Sequence, residues 1–143
     1  MGVTITKKPD FARMKEQLRA EVVKEMGKLA LDEKEEVVTR TGKGIDFRGS
    51  AFVRYTSAYA KRKSAAGRNV SRPDLRFSGR ILQSFQIQVV QKGTKIIARI
   101  FPGSNLEALK VRGNMRFREF FAISDKSRKS FHDRMTNVFR RLK

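Results

Sequence analysis

The sequence predicts an α+β fold: a small antiparallel sheet around a β-hairpin, packed by a long N-terminal helix and a C-terminal helix. Three observations predict it. Apolar residues recur at three- and four-residue steps over residues 11–37 and again near the C-terminus, as they do on one face of a helix. Residues 85–101 are strand-rich on both sides of a two-residue break, which is the hairpin pattern. The chain has 143 residues and 39% hydrophobic content, enough for the core of one domain and not for two.

Residues 1–9 read as a short arm closed by Pro9. Asp10 then offers a cap to a helix whose apolar stripe is Phe11, Met14, Leu18, Val22, Met26 and Leu29, with Val37 extending it. The other face mixes both signs, with Glu25 and Lys28 on neighbouring turns. Gly42 and Gly44 end the helix. The run Thr41-Gly42-Lys43-Gly44 is not a phosphate loop, because the earlier glycine that such a loop requires is replaced by Val37 and Lys43 is followed by glycine.

Residues 45–85 are the stretch around which the chain is organised. Tyr55 and Tyr59 stand four apart, so a helical turn through residues 56–63 stacks their rings on one face, with Phe52 a turn earlier and Lys63 a turn later. Residues 61–72 (KRKSAAGRNVSR) form a flexible basic loop with Val70 as the one apolar anchor. Arg72-Pro73 favours extended backbone. Asp74 or Ser78 then caps a short helix that turns Leu75, Ile81 and Leu82 inward.

In the hairpin, Lys92-Gly93 is the expected turn. Phe85, Ile87 and Val89 face the core opposite Ile96, Ala98 and Ile100. Two strands alone are marginal, so a third is expected from residues 117–123, which hold Phe117, Phe120 and Phe121, or from another subunit. Ser104 caps a helix through Leu106, Leu109 and Val111 that Gly113-Asn114 ends. Ser124-Asp125 caps the last one, whose inward positions are Phe131, Met135, Val138 or Phe139, and Leu142.

The order Ile45-Asp46, Gly49, Phe52, Tyr55, Tyr59-Ala60, Arg62-Lys63, Gly67-Arg68, Asp74-Leu75, Ser78-Gly79-Arg80 and Leu82 resembles the central signature of the phage virion morphogenesis proteins. A weaker echo lies in Arg116, Arg118, Phe120-Phe121 and Ile123-Ser124. A histidine-containing run found before it in many members is missing. The resemblance implies a tail-completion or head–tail joining protein of the neck or tail end, made in the host bacterial cytoplasm and carried in the virion. It implies a homo-oligomeric ring, sixfold, whose partners are other neck, connector or tail proteins. It marks Asp46, Gly49, Phe52, Tyr55, Tyr59, Lys63, Asp74, Leu75 and Gly79 as signature residues of structural role.

Charge supplies the alternative reading, a basic nucleic-acid-binding protein acting on DNA. The formal net charge is +19, and nearly all of the excess lies after Arg40. Such a field favours anionic partners. Lys61, Arg62, Lys63, Arg68, Arg72, Arg140 and Arg141 are the candidate contacts to a partner or to DNA in the ring lumen. No cysteine and a single histidine, His132, leave no thiolate or zinc site and no catalytic constellation, so neither an enzyme nor a cofactor is expected. Neither a membrane span nor a small-molecule substrate is expected.

Overall fold

The computed structural model describes residues 10–75 and 79–141. The expected arm (residues 1–9), the Ser78 cap and the last apolar position, Leu142, lie outside the described residues. The protein is mixed α+β, with long helices at both ends of the chain and a two-stranded antiparallel hairpin between them.

Helix α1 spans Phe11–Gly42, and Asp10 caps it by accepting from the Arg13 amide at 3.0 Å. At 32 residues it is roughly 48 Å long, about twice the length of an eight-residue strand. The helix therefore outruns the sheet it packs on. Ala30 and Val37 are buried, whereas Phe11 and Met14, at the start of the same stripe, are 73% and 46% exposed. Gly27 stands where an added Cβ would meet Val89 at 4.0 Å, which places the middle of α1 against the hairpin.

Strands β1 (Phe85–Lys92) and β2 (Lys95–Pro102) pair in register from Phe85↔Pro102 to Lys92↔Lys95. The turn is therefore Gly93-Thr94, one residue later than the sequence suggests. Gly93 has φ 59°, the conformation that the first position of a type II′ turn demands and that glycine meets without strain. With the turn displaced, Ile87 faces Ile100 and Val89 faces Ala98, where a Lys92-Gly93 turn would have set Ile87 against Ala98 and Val89 against Ile96. Phe85 is 1% exposed while Ile87 remains 36% exposed, so this face is incompletely covered.

The expected third strand is absent among the described residues. Residues 116–123 form a turn and irregular chain. Their backbone groups find other partners: the Glu119 carbonyl accepts from the Phe47 amide, and the Phe120 and Ala122 carbonyls accept from the Arg40 guanidinium. A segment satisfied in this way gains nothing by joining a sheet. It still fills the core, because Phe120 is fully buried and Phe121 stacks on Phe85 at 4.8 Å.

Helix α2 (Ser57–Ala65) is capped by Thr56, and helix α3 (Arg80–Gln83) has Gly79 rather than a polar side chain at its N-terminus. Asp74 is not its cap. Helix α4 (Asn105–Met115) is capped by Ser104, as expected, but passes through Gly113 and ends at Met115. A glycine inside a helix costs only about 1 kcal/mol, and the Asn114 side-chain amide donates back to the Lys110 carbonyl at 2.9 Å. Leu106 and Leu109, read as inward, are 60% and 62% exposed, and Val111 alone of the three is buried.

Helix α5 (Asp125–Arg141) starts at the Ser124 hydroxyl, which accepts from the Ser127 amide. It then runs back along α1. Ser124 and Ser127 donate to Glu36, Arg134 pairs with Asp32, and Arg141 lies beside Gln17 and Glu21. Val138 is its buried position, while Phe131 and Phe139 are largely exposed. The core proper joins Val37, Phe52, Leu75, Leu82, Phe85, Val111 and Phe120, so it sits at the C-terminal end of α1.

Candidate functional site

Asp46, Gly49, Phe52, Tyr55, Lys63, Asp74 and Leu75 form a scaffold at that end of α1. Asp46 makes the turn after the helix: its carboxylate accepts from the Arg48 and Ser50 amides at 2.9 and 2.8 Å. Ile45 and Ala51 bridge across this turn, and Gly49 takes φ 88° within it. Gly44 lies where an added Cβ would stand 2.6 Å from the Pro73 carbonyl oxygen. That close approach holds the 45–52 turn against the chain entering Asp74. Phe52 and Leu75 are core residues. Leu75 has φ 53°, a left-handed conformation that leucine rarely adopts and that costs on the order of 1–3 kcal/mol.

Between these anchors lies a buried ion pair. Lys63 is 0% exposed. Its Nζ donates to Asp74 Oδ1 at 2.6 Å and to the Tyr55 hydroxyl at 3.0 Å. The Tyr55 hydroxyl also accepts from the Asp74 amide at 3.1 Å. Burial alone would push the Lys63 pKa down. The hydrogen bonds from its ammonium to Asp74 and Tyr55 outweigh that and hold it above the usual lysine value.

This corrects the reading of residues 61–72 as one loop with Lys63 as an outer contact. Lys61–Ala65 belong to α2, and helical spacing carries Lys63 onto the Tyr55–Tyr59 face and into the interior. Residues 66–72 alone are irregular chain, and Arg68 and Arg72 there are exposed, as are Lys61 and Arg62 on α2.

Outside the ion pair, cations and rings alternate. The Arg62 guanidinium lies 5.5 Å from the Tyr59 ring centre, Tyr59 is 4.9 Å from Tyr55, and the Arg118 guanidinium lies 5.2 Å from the Tyr55 ring centre. Arg118 also donates to the Val53 carbonyl at 3.2 Å. Spacing in the sequence pointed to Tyr55 and Tyr59, and the basic run to Arg62; Arg118 was named only in the C-terminal echo of the resemblance, in a stretch read as a strand. Arg48 and Arg54 were missed. Arg48 lies over Phe47 and pairs with Glu119, and Arg54 is exposed.

The other candidate contacts, Arg140 and Arg141, are exposed but do not join this cluster. Arg141 lies beside Glu21, about 30 Å along α1 from Thr41. The neighbourhood differs too. The Glu25 carboxyl is held below its usual range chiefly by the hydrogen bond from Lys28, with Arg134 and Arg141 adding attraction. His132 is exposed and lies 3.7 Å from Asp133.

A groove of about 500 Å³ opens between α1, β2, residues 121–123 and α5. Its floor is apolar, with Leu29, Ile100 and Phe121 among the lining residues, and Glu33 borders it. Glu33 pairs with the buried Arg40, which also reaches Glu36. Among the described residues no group of His, Cys, Asp and Glu is placed to hold a metal ion, and no helix is long and apolar enough to cross a membrane.

Compared with known proteins, the chain matches no protein-family model, no curated protein and no solved structure.

Proposed function

We propose that this chain is a structural subunit of the neck or tail end of a tailed phage, a tail-completion or head–tail joining protein that assembles as a sixfold ring. The reading is carried by the run from Asp46 to Gly79, whose residues resemble the phage virion morphogenesis proteins and which, in the fold, act as turn, core and ion-pair residues of one scaffold. The sheet supports association: it has two strands, and each has an edge with no strand beside it among the described residues. Exposed apolar side chains support it as well, with Val53, Leu106, Leu109 and Phe117 each at least 60% exposed.

Native mass spectrometry of the concentrated protein tests the reading. The expected species has six times the 16.4 kDa chain mass. A single-chain species at every concentration refutes the ring. The second reading, a basic nucleic-acid-binding protein acting on DNA, is favoured by the exposed cations around α2. Salt separates the two, since binding through phosphates weakens steeply with salt and association through apolar strands does not.

A further inference from the structure

The positive charge of this protein is distributed unequally between its two ends. Helix α1 holds seven Lys/Arg and seven Asp/Glu, and α5 lies along it with six Lys/Arg and two Asp. Two of the six α5 cations lie against carboxylates of α1: Arg134 pairs with Asp32, and Arg141 lies beside Glu21. At the other end, residues 43–74 hold eight Lys/Arg against Asp46 and Asp74. Both carboxylates are engaged. Asp46 accepts from its own turn, and Asp74 is bonded to the buried Lys63. Arg54, Lys61, Arg68 and Arg72 are exposed and pair with no carboxylate among the described residues.

We infer that the α2 end, through Arg54, Lys61, Arg62, Arg68 and Arg72, is a binding surface for the phosphate backbone of duplex DNA, and that the Arg140–Arg141 end is not. The choice of DNA rests on the ring reading above; the choice of surface does not. Four of these five cations are arginines, which suits phosphate oxygens because a planar guanidinium offers paired donors. The tyrosines select backbone over bases. Tyr55 and Tyr59 are packed on each other and on Arg118, Lys63 and Arg62, so these two rings have their faces taken and do not offer the base-stacking platform of a single-strand binder. They serve as a floor that holds Arg62. The surface lies on a capped helix and the short stretches of chain on either side of it, anchored by the Lys63–Asp74 pair, so it is largely formed before DNA arrives.

Fluorescence anisotropy with a labelled random-sequence duplex tests this on the full chain, with salt varied between about 50 and 200 mM. The quadruple variant Arg54→Ala, Arg62→Ala, Arg68→Ala, Arg72→Ala is expected to flatten the slope of log K against log salt by about 0.9 for each phosphate no longer neutralised, roughly 3–4 in all. Arg140→Ala with Arg141→Ala is expected to leave the slope unchanged. Lysine acetylation read by mass spectrometry needs no variant: DNA should protect Lys61 and leave Lys129 on α5 reactive. Equal flattening of the slope by the two variants, equal protection of both lysines, or polyglutamate bound as tightly as DNA and with the same sensitivity to the quadruple variant would each overturn the inference. The outcome is separate from that of the ring. A single-chain species that binds DNA through this end sinks the ring alone, and a ring indifferent to the quadruple variant sinks the surface alone.

Discussion

Replacing Lys63 with methionine keeps most of the stem volume and removes the charge. The Asp74 carboxylate would keep the Tyr55 hydroxyl at 3.2 Å and lose the ammonium at 2.6 Å. Breaking a buried pair on one side costs about 3–5 kcal/mol because the remaining charge is uncompensated. Asp74 retains 16% side-chain exposure, so water reaches it and the lower end of that range applies. For a chain of this size that loss lowers the melting temperature by roughly 10 °C. Adding Asp74→Asn to Lys63→Met removes the carboxylate charge as well and should recover part of the loss, a coupling of at least about 1 kcal/mol in a double-mutant cycle. The pair also predicts a pH dependence. The folded pKa of Lys63 is raised above the unfolded one, so its stabilisation is complete below the unfolded lysine value of about 10.4 and is lost as pH rises through the folded value. The gap in melting temperature between the natural chain and Lys63→Met should therefore be constant at neutral pH and narrow in strong alkali. A single substitution costing under about 1 kcal/mol, the level of an exposed ion pair, would refute the assignment of Lys63 as the buried tie of this end.

Three further outcomes are expected. Tyr59→Ala removes a ring packed on Tyr55 and should lower the denaturant midpoint by an amount equivalent to about 2–3 kcal/mol; Tyr59 is half-buried, so the full core cost does not apply. Gly44→Ala combines φ 73° with a Cβ 2.6 Å from the Pro73 carbonyl oxygen and should destabilise by more than about 1 kcal/mol in the same assay. Limited trypsin digestion of the free chain should cut after Arg68 before Lys61, Arg62 and Lys63, which α2 holds, while Arg72 is shielded by the proline that follows it; first cuts within α2 would mean the helix opens as readily as the connection after it.

Both long helices, the caps at Asp10, Ser104 and Ser124, and the hairpin itself could be read in the sequence, though not the register that sets Ile87 against Ile100. Each rests on local spacing or on one side chain bonding a nearby amide. What could not be read was settled by contacts distant in sequence. Residues 116–123 look like a strand because phenylalanines cluster there, and Arg40, about 80 residues earlier, claims their carbonyls instead. Lys63 reads as one more cation in a basic run until Asp74 is seen to meet it across the turn of the chain. Leu106 and Leu109 obey helical periodicity, and α4 presents only its Val111 side to the core. Asp46, Phe52, Lys63, Asp74 and Leu75 fall in a turn, the core and one ion pair of a single scaffold, whereas the candidate basic contacts, read as one set, lie at two ends of α1.

The shortness of the sheet has a consequence for how the chain reaches this state. A hairpin joined by a two-residue turn forms within about 1–10 μs but is unstable alone. It persists here only once α1 lies across it, and Gly27 and Val89, which meet in that contact, are separated by the entire 45–85 stretch. Closing that loop is the slow entropic step. The turn at Asp46 and the Gly44–Pro73 approach fold the intervening chain back on itself, and the loop to be closed is shorter wherever they form first. Substitutions in this stretch should therefore slow refolding as well as weaken the native state, while changes at the exposed start of α1 should act on neither.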